Sequence, residues 1–277
     1  MSSLDRMLRI LDLFAAEKPR WTVEQAMART GYSRSTIYRY FKSLANAGLV
    51  SPGPDGAYVL GPAVIGLDRL IRLYDPLLTA ARPHLTDLAR TLGLVAVVEP
   101  YRDRIVVTHV EAGPAADVPP DLLRGLTVEP FDSAAARVLL AHDHVRSLRR
   151  LHDVAAPAIA AAGLGDGWPA FRQALRVQRR VGFAVHAGAG PVGALRVAVP
   201  VFGAGDRVVA AIAVPAGERD SARVGDLLVR AARRISAVLL DQSAGDRRAM
   251  AVAESWRPAA PMARAAAPTT AERGRLA

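Results

Sequence analysis

The chain has 277 residues, a formal net charge of +10 and no cysteine. That length suits two modest domains, each able to bury its own core, and the lack of thiols excludes a disulfide framework or a thiolate metal site. The basic balance favours an anionic partner, and no N-terminal run is long and apolar enough for a signal peptide or a membrane span, so cytoplasmic residence without a membrane partner is expected.

In chain order, Leu4–Ala16 spaces Leu4, Met7, Leu8, Ile10, Leu11, Leu13 and Phe14 as a helix covering a small core. Thr22 caps a second helix reaching about Arg29, with Gln25 placed for a capping box and Val23, Ala26 and Met27 facing inward. Gly31 supplies the positive φ of a tight turn. Ser33 caps a third helix that runs to about Ala45, with Ile37, Phe41 and Leu44 as its buried stripe and Tyr40 beside them. This is a helix-turn-helix pattern, in which the leading half of the second motif helix meets base edges in the major groove. Arg pairs with guanine, Ser and Thr are less selective, and Arg, Lys, Tyr and Thr also hold phosphates. The expected contacts to double-stranded DNA are therefore Thr22, Ser33, Arg34, Ser35, Thr36, Tyr38, Arg39 and Lys42. Two β-prone runs, Leu49-Val50 and Ala57–Leu60, flank the turn-rich tip Ser51–Gly56 and form a hairpin in the position of a wing. The tip carries no Arg or Lys, so strong wing–phosphate contact is not expected, and the hairpin reads equally as a closure of the small domain.

On these residues the chain resembles the IclR family of bacterial transcriptional regulators. Gly31, Ser35, Thr36, Arg39, Leu44, Gly48 and the run Tyr58-Val59-Leu60-Gly61 match that family's pattern. Ile37–Phe41 also resembles the recognition helix of the TetR family, whose members are all-helical after the motif; the hairpin and the strands that follow here argue against it. The IclR resemblance implies an N-terminal winged helix, a GAF-like effector domain and a homodimer or homotetramer. A paired helix-turn-helix in turn implies an inverted-repeat operator.

Pro62–Gly93 reads as two helices, the first a linker and the second opened by Pro76. Strands are expected at Leu94–Glu99 and Arg104–Glu111, paired as a hairpin, with a further short strand at Leu126–Val128. Helices follow at Ser133–Ala141 and Trp168–Val181, the latter with a basic face of Arg172, Arg176, Arg179 and Arg180. Then come strands at about Phe183–His186, Leu195–Phe202 and Val208–Pro215, and a last helix at about Ser221–Leu240. The fold class is α+β: a winged helix-turn-helix domain at 1–61, a linker helix at 62–75, and an effector-binding and oligomerisation domain with a mainly antiparallel sheet at 76–240. Residues 241–277, rich in Ala, Pro and Arg, are expected to be disordered.

Ser133–Ala141, Gly182-Phe183-Ala184 and Pro200-Val201-Phe202 also match the family, yet Gly188-Ala189 stands where it has two acidic residues and Ala136 where it has glycine. The family's usual effector chemistry therefore does not carry over. An effector cleft on this fold would lie between the sheet, the start of the Ser133 helix and the 186–196 loop. Ser133 and Ala134 can hold a carboxylate at the helix N-terminus, with Arg137 one turn on. Ser133 reads also as a plain N-cap, and Arg137 as a surface ion-pair partner. Glu99, His186 and Arg196 complete the ligand candidates, each with a structural reading of its own.

Catalysis is not expected: there is no Gly-x-Ser-x-Gly elbow and no His-Glu-x-x-His. His142 and His144 are poorly spaced for one metal, and Gly188-Ala189-Gly190 lacks the third glycine and following helix of a dinucleotide loop, so no cofactor is expected. The featureless stretch Ala187–Gly193 motivates one alternative, a ligand-binding or protein-interaction module that has lost specific operator recognition.

Overall fold

A computed structural model describes residues 2–101, 104–187 and 195–255, with 243–255 described by backbone alone. The N-terminal unit opens with α1 (Ser3–Leu8), held by a reciprocal capping box between Ser2 and Asp5. The single helix expected over Leu4–Ala16 is instead α1 followed by a 3-10 turn, Arg9–Leu13. The tighter winding carries Ile10 into the core and leaves Leu4 and Leu8 exposed. Next come α2 (Val23–Thr30) and α3 (Arg34–Asn46). The Thr22 hydroxyl accepts from the Gln25 N–H at 3.2 Å, and Gln25 Oε1 accepts from the Thr22 N–H at 3.3 Å. Gly31 ends α2 at φ 73°, a conformation that a side chain would strain. The wing pairs β1 (Val50–Pro52) antiparallel with β2 (Tyr58–Leu60), Val50 opposite Leu60.

Ile10, Trp21, Ala26, Ile37, Tyr40, Phe41, Leu44 and Val50 form this unit's core. Phe41 stacks on Tyr58 with ring centroids 4.2 Å apart, so α3 is packed directly onto the wing. Full burial of Ile37 and Phe41 contributes about 2–3 kcal/mol apiece. At the wing exit, a Cβ on Gly61 would fall 2.2 Å from the Gly48 carbonyl oxygen. The same oxygen accepts from the Ala63 N–H at 3.1 Å. Only glycine permits that approach, and it sets the direction in which α4 (Pro62–Tyr74) leaves the wing. α5 (Pro76–Leu92) begins at once, capped by Asp75.

The second unit is built on a five-stranded antiparallel sheet in the order β4-β3-β7-β6-β5. Its strands are β3 (Leu94–Tyr101), β4 (Arg104–Ala112), β5 (Ala184–Ala187), β6 (Leu195–Gly203) and β7 (Arg207–Pro215). Alternation divides the three central strands, β3, β7 and β6, between two cores. Val97, Val199 and Ile212 meet α5 and α9 (Ser221–Ser255) on one face, around Leu85, Leu228 and Ile235. Ala96, Val98, Ala198, Ala211 and Ala213 meet α6 (Ala134–Ala141) on the other, where the small side chains let the helix lie close. Beside α6, α7 (Val145–Ala161) and α8 (Trp168–Val181) close a further core around Ile159 and Phe171.

The mixed helix-and-antiparallel-sheet class expected from the sequence is the observed one. Besides the N-terminal helix, three elements differ from expectation. α7 has no counterpart in the sequence reading: Pro157 and a break at Ala155 (φ −128°) interrupt its period. Leu126–Val128 makes no regular strand; it bonds to the edge of β4 through Val107 N–H to Leu126 O and Val128 N–H to Ile105 O. α9 runs on to Ser255, so the segment from Asp241 expected to be disordered starts as helix. The rest of that segment, 256–277, and residues 188–194 of the loop beside the expected cleft lie outside the described residues.

Candidate nucleic-acid interface and effector cleft

Ile37, Tyr40, Phe41 and Leu44 all point into the core, which fixes the rotation of α3. Arg34, Ser35, Tyr38, Arg39 and Lys42 are exposed on the opposite side, and Thr36 lies at the margin. The Ser33 hydroxyl caps α3 through the Thr36 N–H and lies 2.9 Å from the Thr36 hydroxyl and 3.2 Å from that of Ser35. Three hydroxyls thus cluster at the tip that would enter a groove. Thr22 spends its hydroxyl on the α2 cap, at the helix end that in this motif faces the DNA backbone. Arg34 pairs with Glu24 of α2 at 3.0 Å, both side chains largely exposed. An exposed pair of this kind is worth about 0–1 kcal/mol, so it does not prevent Arg34 from turning to a phosphate. The Glu24 partner had no signal in the sequence.

The second unit has a cleft of about 160 Å³ on the α6 face of the sheet. Val98, Ala213 and Arg196 form its floor, Asp132–Ala135 one wall, and Asp121, Leu122, Thr127, Val128 and Glu129 the other. Of the residues expected to meet a ligand, Ser133, Ala134 and Arg196 line it. Ser133 is the N-cap of α6, accepting from Ala136 N–H at 3.5 Å. Arg196 donates through Nη2 to Asp121 at 2.6 Å, bracing one wall against the floor, while its Nε is buried with no partner among the described residues. His186 stands behind the wall, Nε2 2.6 Å from the Asp132 carboxylate, and orients a cleft residue instead of lining the cleft.

Glu99 and Arg137 fall elsewhere. Strand alternation turns Glu99 toward the face shared by Val95 and Val97, where it accepts from the Thr108 hydroxyl. Burial pushes its carboxyl above the ordinary range. Arg137 donates to two main-chain carbonyls, Phe131 O at 2.9 Å and Ala162 O at 2.8 Å, tying the start of α6 to the end of α7. Arg137 does not line the cleft, and its guanidinium joins α6 to α7. Arg137→Ala is expected to lower unfolding stability by about 1–3 kcal/mol, since both carbonyls lose a charged donor, with ligand affinity unchanged. Denaturant unfolding, with binding measured alongside, checks both halves of that expectation. The 119–129 wall was missed because its residues carry no helical or strand period; only the short β-prone run at 126–128 was legible.

Among the described residues no group of three or more His, Asp or Glu is placed to hold a metal ion. None of the helices there is long and apolar enough to cross a membrane.

A packed winged helix with a free recognition face, followed by a separate α+β unit with its own cleft, defines a DNA-binding regulator with an effector domain. Residues 3–54 match the IclR helix-turn-helix domain, and residues 74–237 match the C-terminal domain of the bacterial transcriptional regulator IclR. The chain belongs to the IclR family of transcriptional regulators, a family of regulators and not of enzymes. It is 26% identical over 222 residues to the HTH-type transcriptional regulator XynR of Escherichia coli, covering 77% of this chain and 85% of that one. The fold is also that of an IclR-type regulator from Alicyclobacillus acidocaldarius (TM-score 0.69, 24% identity, 85% of this chain and 98% of that one). An IclR homologue from Microbacterium hydrocarbonoxydans, solved in complex with 4-hydroxybenzoate, is similarly close (TM-score 0.68, 21% identity, 86% and 99% covered).

Proposed function

We propose that the protein acts as a homodimer whose two α3 helices enter successive major grooves of an inverted-repeat operator, with a small molecule in the cleft altering their spacing. The observation that carries this reading is the sorting of α3: Ile37, Tyr40, Phe41 and Leu44 are buried, and Arg34, Ser35, Tyr38, Arg39 and Lys42 share the open side. Dimerisation is supported by α4. Leu67, Leu70, Ile71 and Tyr74 recur at helical spacing along one side, all are exposed, and no residue of the helix is buried within the chain. A continuous exposed apolar stripe is covered at least cost by its own copy, which also gives the two-fold symmetry an inverted repeat requires. The effector reading is supported by the cleft and by the 4-hydroxybenzoate bound to the Microbacterium relative. Ser133, Ala134, Arg196 and Asp121 are the groups such a ligand would meet. A ligand there acts only through unequal affinity for two arrangements of the dimer.

The test is selection of duplexes from a random pool with the full chain. Enrichment of an inverted repeat, its half-sites about 10–10.5 base pairs apart or a multiple of that, is the expected result. Failure to enrich any sequence would leave the alternative of a module without operator recognition.

A further inference from the structure

We propose that Arg124 couples the cleft to the DNA-binding unit by gripping Asp68 of the linker helix. This inference rests on the reading above and names the residues through which it is regulated. Residues 119–129 have two sides. One side walls the cleft through Asp121, Leu122, Thr127, Val128 and Glu129. From the middle of the same segment Arg124 reaches away, its Nη1 to the Asp68 carboxylate and its Nε to the Thr108 carbonyl of β4. Asp68 accepts also from Arg72 Nε at 2.7 Å, so one carboxylate of α4 is shared between its own helix and the cleft wall. Both hydrogen bonds hold the Asp68 carboxyl below its ordinary pKa range. The Arg124 side chain is only 22% exposed.

The chain of contact is continuous in both directions. On the cleft side, Arg196 of β6 holds Asp121 at 2.6 Å, and the segment is laid on β4 by Gly125 N–H to Val107 O at 2.8 Å and Val128 N–H to Ile105 O at 2.7 Å. On the DNA side, α4 is bonded to the Gly48 carbonyl through Ala63 N–H, directly after α3. A ligand that engages Arg196 or pushes on Leu122 and Val128 moves the wall, and Arg124 passes that movement to α4. α4 buries none of its residues; it also meets the second unit through the turn at Asp75 and through Arg82 Nη2 to Arg72 O at 2.6 Å. The Arg124–Asp68 pair is the contact among these that reaches the cleft wall.

Coupling between binding sites is reciprocal, and where both sites bias one equilibrium through Arg124, DNA at α3 shifts the wall as well. This permits a test without the ligand. Hydrogen exchange is followed in the full chain, free and saturated with the selected duplex, for wild type, Arg124→Ala and Asp68→Asn. In wild type, DNA is expected to protect α3 and to change exchange of a peptide spanning 119–129 by about fivefold or more, the low end of typical coupling. Both variants are expected to keep the protection of α3 while the response at 119–129 falls to less than about twofold, within ordinary scatter of local opening. Asp68→Asn is nearly isosteric and serves if Arg124→Ala loosens the segment by itself. A response at 119–129 that persists in both variants, or is missing in wild type although α3 is protected, overturns the coupling. Absence of protection at α3 overturns the DNA-binding reading itself, and the coupling with it.

Discussion

Arg39→Ala is expected to weaken binding to the selected operator by about 1–3 kcal/mol, roughly 5- to 150-fold, if the guanidinium meets a guanine edge. Arg39 lies one turn beyond Ser35 on the open side of α3 and is exposed, its guanidinium 5.8 Å from the Tyr40 ring centroid. Its removal costs the core nothing, and stability should stay within about 0.5 kcal/mol of wild type. The salt dependence separates two ways of weakening the complex. Removing a side chain that reads a base edge lowers discrimination against mismatched duplexes. Removing one that holds a phosphate weakens all sequences alike and reduces the logarithmic salt slope by about one. Lys42→Ala, farther along the same face, is the natural comparison for the second pattern. Affinity of Arg39→Ala equal to wild type on matched and mismatched duplexes would remove α3 as the reading helix.

The second large effect is expected on α4. Leu67→Glu combined with Ile71→Glu puts two carboxylates into the stripe that runs from Leu67 to Tyr74. Two buried like charges across a two-fold interface cost several kcal/mol, enough to dissociate a dimer of ordinary strength. Sedimentation should show a monomer. Each half-site then binds alone, without the gain of about 100-fold or more that linkage of two modules provides. Unfolding stability measured at low concentration should change little, because about half of each side chain is already exposed within its own chain (52% and 51%). A dimer that survives the double substitution would place the interface elsewhere.

What could be read from the sequence follows from how local the determining physics is. The Thr22–Gln25 box, the Ser33 cap, the Gly31 turn and the Ile37–Leu44 stripe are each decided within a few residues, and α3 is accordingly found where its pattern puts it. The strands of the second sheet are equally local, since Val and Ala alternate between two buried faces. The cleft was legible only in part. The cap at Ser133 and the charge at Arg196 announce themselves, but the wall they face is an irregular segment placed by pairing to β4, a contact distant in sequence. Arg137 and Glu99 show the converse. Their types suited a ligand, yet Arg137 is taken by the carbonyls of Phe131 and Ala162, and Glu99 by its place in the strand alternation. Nothing near Arg124 in sequence marks Asp68, 56 positions away, as its partner.

Guanine N7 methylation tests the central claim most directly, since that atom is open only in the major groove. With wild-type protein, methylation should block binding at guanines clustered in two half-sites about one helical turn apart or a multiple of it, and Arg39→Ala should erase the effect at one guanine in each. Binding indifferent to N7 methylation, or the same interference pattern with Arg39→Ala, would contradict the assignment of the open face of α3 to the groove.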